Sequence, residues 1–234
     1  MHIFVNLSFQ KCVKSGMSNP RAGEVRMGRP RGFDEDAALE AAMRVFWEKS
    51  YEGASIADLT EAMGINRSSM YAAFGDKESI FDRVMERYRE GPMTYIRQAL
   101  AEPSLREVVA ALLRGTAEFL SIPGNPRGCL SIQGALACGT DAEPVKQSII
   151  DWRKSGEAAL KKRLQQAQSE GELAAGIQPA DFARYISSVM AGLGVQAANG
   201  ATRAELRRVA EIALRCIETG LPVQVVGIVP PSIM

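Results

Sequence analysis

SIADLTEAMGINRSSMYAAFGDKESIF, residues Ser55 to Phe81, reads as two short helices around a glycine turn, with the start of a third helix behind them. Ser55 suits an N-cap, and Asp58 three residues later completes a capping-box pattern. Ile56, Leu59 and Met63 repeat on one side of the first helix. Gly64 can take the left-handed conformation that ends it, and Ile65 buries in the turn. Asn66 caps the second helix. Ile65 and Met70 flank it as a hydrophobic staple, and Met70 with Phe74 forms a buried i, i+4 pair. This spacing suits a helix-turn-helix that lays its second helix in the major groove of DNA.

Anchoring Met70 and Phe74 decides what faces outward. Arg67, Ser68 and Ser69 occupy the exposed first turn, where a recognition helix meets base edges. Arg67 can donate a bidentate pair to guanine, and the serines can bond bases or phosphates. Tyr71 can set its hydroxyl on a phosphate while its ring packs on the domain. Asp76 caps the next helix with Lys77 in its first turn, and those amides plus Lys77 form an anion site suited to a DNA phosphate.

Upstream, a helix is predicted from Asp34 to about Lys49, with Leu39, Met43, Phe46 and Trp47 on one apolar face as core. Before it, Met27-Gly-Arg-Pro-Arg-Gly32 is kept extended by proline and glycine. Its Arg29 and Arg31 suit a narrow, electronegative minor groove beside a helix seated in the major groove. Residues 1–26 read as a disordered leader or as translation begun upstream of the functional start, with a partner-binding arm as the competing reading. The charge is divided. Residues 1–33 carry six Lys and Arg against one Glu, whereas residues 34–90 carry seven against thirteen acids. The arm therefore supplies much of any attraction to a polyanion.

Residues 34–81 resemble the DNA-binding domain of the TetR/AcrR family of transcriptional repressors. The matching residues are Ala42, Phe46, Tyr51, Ser55, Ile56, the Met63-Gly64-Ile65 turn, Ser69, Met70, Tyr71, Phe74, Lys77 and Glu78. The resemblance implies a two-fold dimer, a double-stranded DNA operator with inverted half-sites, and release on binding a small molecule. Carried over by position, it implies base reading by Arg67, Ser68 and Ser69 and phosphate contacts from Ser55, Tyr71 and Lys77. Two departures stand out. Ser50 lies where the family often has glycine, so a left-handed turn there carries strain. Ala72 and Ala73 replace larger side chains, which shifts weight onto Arg67 and Tyr71.

Beyond Gly91-Pro92, a break that suits either a pivot or a plain helix end, the pattern stays helical. Ser104-x-x-Glu107 opens a capped helix, and the loop Pro123-Gly-Asn-Pro-Arg-Gly128 leads to a short apolar helix, Cys129 to Gly139. Asp141 is expected to cap a long helix to about Ser169, with Trp152 inward. Helices over about 179–198 and 202–219 form a closing hairpin. Small residues on the first of these, Ser187, Ser188, Ala191, Gly192, Gly194, Ala197 and Ala198, allow close packing. The family resemblance places a homodimer interface there; tight packing within one subunit is the alternative. An effector pocket is expected among the middle helices, lined by Phe119, Trp152 and Met190, for an apolar or aromatic ligand. Taken singly, each of these three suits the core better than a ligand contact. Arg127-Gly-Cys-Leu130, with Cys138 further on, resembles a segment of electrophile- and redox-sensing members of the family. Cys129 would then sit beside Arg127, where a thiolate is favoured; two small buried residues are the alternative.

Other chemistry is poorly provided for. The chain's one histidine is His2, no phosphate-binding glycine loop is present, and the four cysteines form no metal-ligand spacing. Unpaired cysteines suit a reducing cytoplasm. No apolar run approaches the ~20 residues of a membrane span. The expectation is an all-α chain with no cofactor: a leader over 1–26, a helix-turn-helix domain with its arm over 27–78, a helical effector-binding and dimerisation domain over 79–220, and a tail over 221–234. A small-molecule binding protein or enzyme with an accessory helix-turn-helix is the alternative from another class.

Overall fold

The structure, a computed structural model, describes residues 32–136, 142–174 and 176–218. The leader, Arg29 and Arg31 of the arm, Cys138, Asp141 and the tail 221–234 lie outside the described residues. Ten helices and no strand are found among the described residues, so the all-α expectation holds.

Four helices build the N-terminal head: α1 (Glu35–Gly53), α2 (Ile56–Met63), α3 (Arg67–Phe74) and α4 (Lys77–Glu90). Their starts follow local chemistry. Asp34 accepts from the Asp36 and Ala37 amides, Asn66 from Ser69, and Asp76 from Ser79. Ser55 and Asp58 close the capping box in both directions. Gly64 ends α2 at φ 67°, ψ 26°, in the left-handed region. Ala42, Phe46, Met70 and Phe81 are fully buried or nearly so, with the Phe46 ring edge-on to Phe81 at 5.1 Å. Arg87 of α4 bonds Glu40 and Asp36 of α1, each at 3.0 Å.

The regular part of α1 ends near Lys49, as the sequence predicts. Helix hydrogen bonding runs on to Gly53, but Ser50 breaks it with φ 58°, ψ 177°. The expected positive φ is present. Its ψ, however, lies in an extended mirror region that is essentially glycine-only, not in the left-handed helical well.

The larger helical body comprises α5 (Thr94–Leu100), α6 (Leu105–Phe119), α7 (Leu130–Leu136), α8 (Glu143–Ser169), α9 (Pro179–Ala198) and α10 (Arg203–Glu218). Helix α6 is its centre, packing on α5, α9 and α10, and it starts with the expected Ser104–Glu107 capping box. Ion pairs tie α6 to α10 at Arg114–Glu211 and from Glu118 to Arg203 and Arg207. Helix α5 was not anticipated: it is seven residues long and has no side-chain cap. The N-cap of α8 is Ala142, which offers no side-chain bond, rather than Asp141; Pro144 in the first turn fixes the start instead.

The small residues of α9 divide. An added Cβ at Gly194 would come within 2.6 Å of Ile132 Cδ1, so Gly194 packs against α7 inside the subunit, and Ala197 is also buried. At Gly192 the space is open, and Ser188 and Ala198 are exposed.

Candidate DNA interface and effector cavity

The turn from α2 to α3 presents the outward set. Arg67 and Ser68 are exposed, while Met70 and Phe74 on the opposite side of the same helix are buried. The Ser68 hydroxyl donates to Asn66 Oδ1 at 2.7 Å and so steadies the first turn of α3. Ser69 is half-buried. Tyr71 is half-exposed at 50%, although most large apolar side chains of the head are covered. Ser55 donates its hydroxyl to Asp58 and accepts from the Asp58 amide at 3.1 Å. Lys49 lies 2.6 Å from the same carboxylate. The Lys49 bond first, then the Ser55 amide and hydroxyl, holds the Asp58 carboxyl well below the usual carboxylate range. Lys77 sits with its ammonium 4.4 Å above the Tyr51 ring centroid, at the start of α4. Ser55, Arg67, Ser68, Tyr71 and Lys77 thus belong to one head, on α2, α3 and the start of α4.

Below the head, α4, α5, α6, α7, α8 and α9 line a cavity of about 490 Å³. Phe119, Trp152 and Met190 all line it. Cys129 is part of its wall and is buried. Arg89, Glu90, Arg97, Arg153 and Glu157 supply the charged part of the lining. Glu157 pairs with Arg184 and Arg89 with Glu86. Inside, the polar groups satisfy one another. The Tyr95 hydroxyl lies 3.1 Å from Thr116 Oγ1, which also donates to the Leu112 carbonyl. An apolar or aromatic body would therefore meet mainly rings and aliphatic carbons.

The thiol of Cys129 has different neighbours from those expected. The Tyr88 hydroxyl lies 3.4 Å from Sγ and Ser131 Oγ 3.1 Å from it. Arg127 is exposed and its guanidinium reaches Gly200, between α9 and α10. Burial first, and Cys129 second, pushes the Tyr88 phenol well above its ordinary value, and burial likewise raises Tyr95. Both stay protonated donors at neutral pH. Sequence reasoning passed over Tyr88, Tyr95, Thr116 and Ser131, because each meets its partner only after distant helices have packed.

An exposed helix-turn-helix set on a helical body with a cavity defines a DNA-binding regulatory protein with room for a small molecule. Residues 38–84 match the model described as bacterial regulatory proteins, tetR family, and residues 101–214 match the tetracyclin repressor-like C-terminal domain. The chain belongs to the TetR family. It is 30% identical over 190 residues to the HTH-type transcriptional repressor ComR of Escherichia coli K12, covering 80% of this chain and 90% of ComR. It is 27% identical over 198 residues to the repressor BdcR of the same organism, covering 82% and 93%. Among solved structures, a cysteine mutant of the TetR family regulator CifR, complexed with 26-bp double-strand operator DNA, superposes with a TM-score of 0.76. That pair is 41% identical over 80% of this chain and 98% of CifR. No helix among the described residues is long and apolar enough to cross a membrane.

Proposed function

We propose that this protein is a homodimeric transcriptional repressor that leaves its operator when an apolar or aromatic small molecule enters the cavity. Its role is regulatory rather than catalytic, and it acts on DNA in the cytoplasm. The observation that carries the reading is the course of α4. Its first turn holds Lys77 beside the recognition helix, and its last turn contributes Arg89 and Glu90 to the cavity lining. One rigid element thus joins the DNA side to the ligand side. Half-sites on one face of DNA lie about 34–36 Å apart or a multiple of that, so a small swing of α4 spoils docking of two heads at once.

In this reading Arg67, Ser68 and Ser69 meet base edges, Ser55, Tyr71 and Lys77 hold phosphates, and Arg29 and Arg31 enter the minor groove. The homodimer forms through α9 and α10, where Tyr185, Val195, Val209 and Ile212 remain exposed. ComR and BdcR, both named repressors, and CifR, solved on operator DNA, support the assignment. Selection of bound DNA from a random pool, repeated with candidate effectors, tests it. An inverted repeat is expected. Arg67→Ala should relax base preference at one position per half-site, by about 1–3 kcal/mol, whereas Lys77→Ala weakens all sequences alike. Equal loss from both variants on every DNA would overturn this division of roles.

A second reading follows from Cys129: covalent sensing of electrophiles or oxidants on the same scaffold. What favours it is position alone: the thiol lines the cavity, where an entering electrophile or oxidant would meet it, although it is buried and lacks the neighbouring Arg127 charge. Cys138, the proposed second cysteine, lies outside the described residues. Retention of electrophile-driven release by Cys129→Ser would exclude this reading.

A further inference from the structure

The loop 123–128 does more than separate two helices. It carries two glycines at positive φ, Gly124 at 84° and Gly128 at 88°, and each turns its carbonyl toward α1. Arg44 Nη1 donates to Gly124 O at 2.9 Å on the surface, and Trp47 Nε1 donates to Gly128 O at 3.0 Å in a buried position. The residue after Gly128 is Cys129 of the cavity wall.

This segment has little room to yield on its other side. A Cβ at Gly128 would lie 3.0 Å from Ala198 Cβ and 2.8 Å from Gln133 Nε2, and Ile132 fills the notch left by Gly194. The Trp47 ring also stacks on Phe119, a cavity residue, with centroids 5.7 Å apart. One residue earlier, Phe46 stacks on Tyr51 and meets Phe81 edge-on, inside the head. Trp47 therefore packs on one cavity ring, Phe119, and holds the carbonyl of the residue just before cavity-lining Cys129, while standing on the helix around which the head is packed.

We propose that Trp47 is a positioning residue that transmits cavity occupancy to the DNA-binding head through its hydrogen bond to Gly128. The inference rests on the effector reading above and adds a second link beside α4. An occupant that displaces residues 128–132 draws on the indole N–H and so turns α1. Ring packing alone slides and transmits less. A phenylalanine at this position keeps an aromatic ring and loses the tether.

The test uses the full-length chain, an operator duplex recovered by selection, and 8-anilino-1-naphthalenesulfonate as an apolar aromatic probe. Probe binding is read by its own fluorescence and operator binding by gel shift. In the wild type, saturating probe is expected to raise the operator Kd by an amount in the usual allosteric range of about 5- to 150-fold. Trp47→Phe should bind probe equally well and keep its probe-free operator Kd within about threefold, yet show less than about a threefold rise on probe saturation. A full rise in Trp47→Phe with probe bound would overturn the proposal and leave the effector reading intact.

No response in the wild type would count against the effector reading, and a wedge then decides the coupling. Cys129→Phe pushes on the same segment from within, and its effect on operator Kd is compared in Trp47 and Trp47→Phe backgrounds, with folding checked by circular dichroism. Non-additivity of about fivefold or more supports the tether. Non-additivity below about fivefold refutes it. Should Cys129→Phe not fold, Cys129→Met provides the smaller wedge under the same criterion.

Discussion

Replacing Ser50 with glycine should make the protein more stable. Ser50 holds φ 58°, ψ 177°, the one positive φ at a non-glycine among the described residues. Such a conformation costs a side-chain-bearing residue on the order of 1–3 kcal/mol. Against that relief, glycine frees the unfolded chain and loses about 0.4–1 kcal/mol. The Ser50 hydroxyl also donates to the Lys49 carbonyl at 2.6 Å, a local exposed bond whose loss costs about 0.5 kcal/mol. The balance is a gain of about 1 kcal/mol. For a chain of this size that raises the melting temperature by about 2–4 °C. Thermal unfolding followed by circular dichroism reads it, with Ser50→Ala as the control that keeps the strain and loses the hydroxyl. The alanine variant should melt at or below the wild type. Because Ser50 precedes the capping box at Ser55 and lies outside α2, α3 and the start of α4, operator affinity should stay within about twofold. A Ser50→Gly variant that melts lower than the wild type would refute the strain argument.

Three further outcomes are expected. Asp58→Asn should lower stability at neutral pH. The depressed folded-state pKa means the carboxylate stabilises fully above its unfolded pKa of ~3.9, and the effect is lost as pH falls from there through the folded value, so the two proteins should converge only in strong acid. Denaturant titrations at stepped pH check this. Deleting residues 1–32, net +5 with Phe33 left in place, should weaken operator binding and flatten its salt dependence; an unchanged slope by fluorescence anisotropy would count against the arm. Ile212→Glu puts a charge on the exposed apolar face of α10, where Ile212 is 54% exposed, and should shift the protein to monomer in sedimentation velocity without melting the subunit.

What could be read in advance was whatever local chemistry writes into a few consecutive residues. Ser55 with Asp58, Asn66, Asp76, and Ser104 with Glu107 each satisfy an amide three positions away, so the caps are visible in a few neighbouring letters. Helix α5 escaped because its stability comes from packing on α6 and it carries no cap. The cavity was legible only as three bulky residues at helical positions. Nothing in the letters shows that Phe119, Trp152 and Met190 would meet around one space, still less that Tyr88 would reach Cys129 across 41 positions. Trp47 reads as plain core because its partner, Gly128, lies 81 residues away. Small residues on α9 were ambiguous for the same reason: Gly194 and Gly192 are identical in sequence terms, yet one faces α7 and the other open space.

The chain has two tryptophans, and their placement makes the protein its own optical instrument. Trp47 is sealed in the seam between head and body with its indole N–H bonded to a carbonyl, and Trp152 stands half-buried in the cavity wall. Emission from the first should lie toward the blue and respond to the attitude of the head. Emission from the second should change on direct contact with an occupant. Selective substitution of either separates the two signals, so arrival of a molecule and the response of the DNA-binding end can be timed independently, without an attached dye.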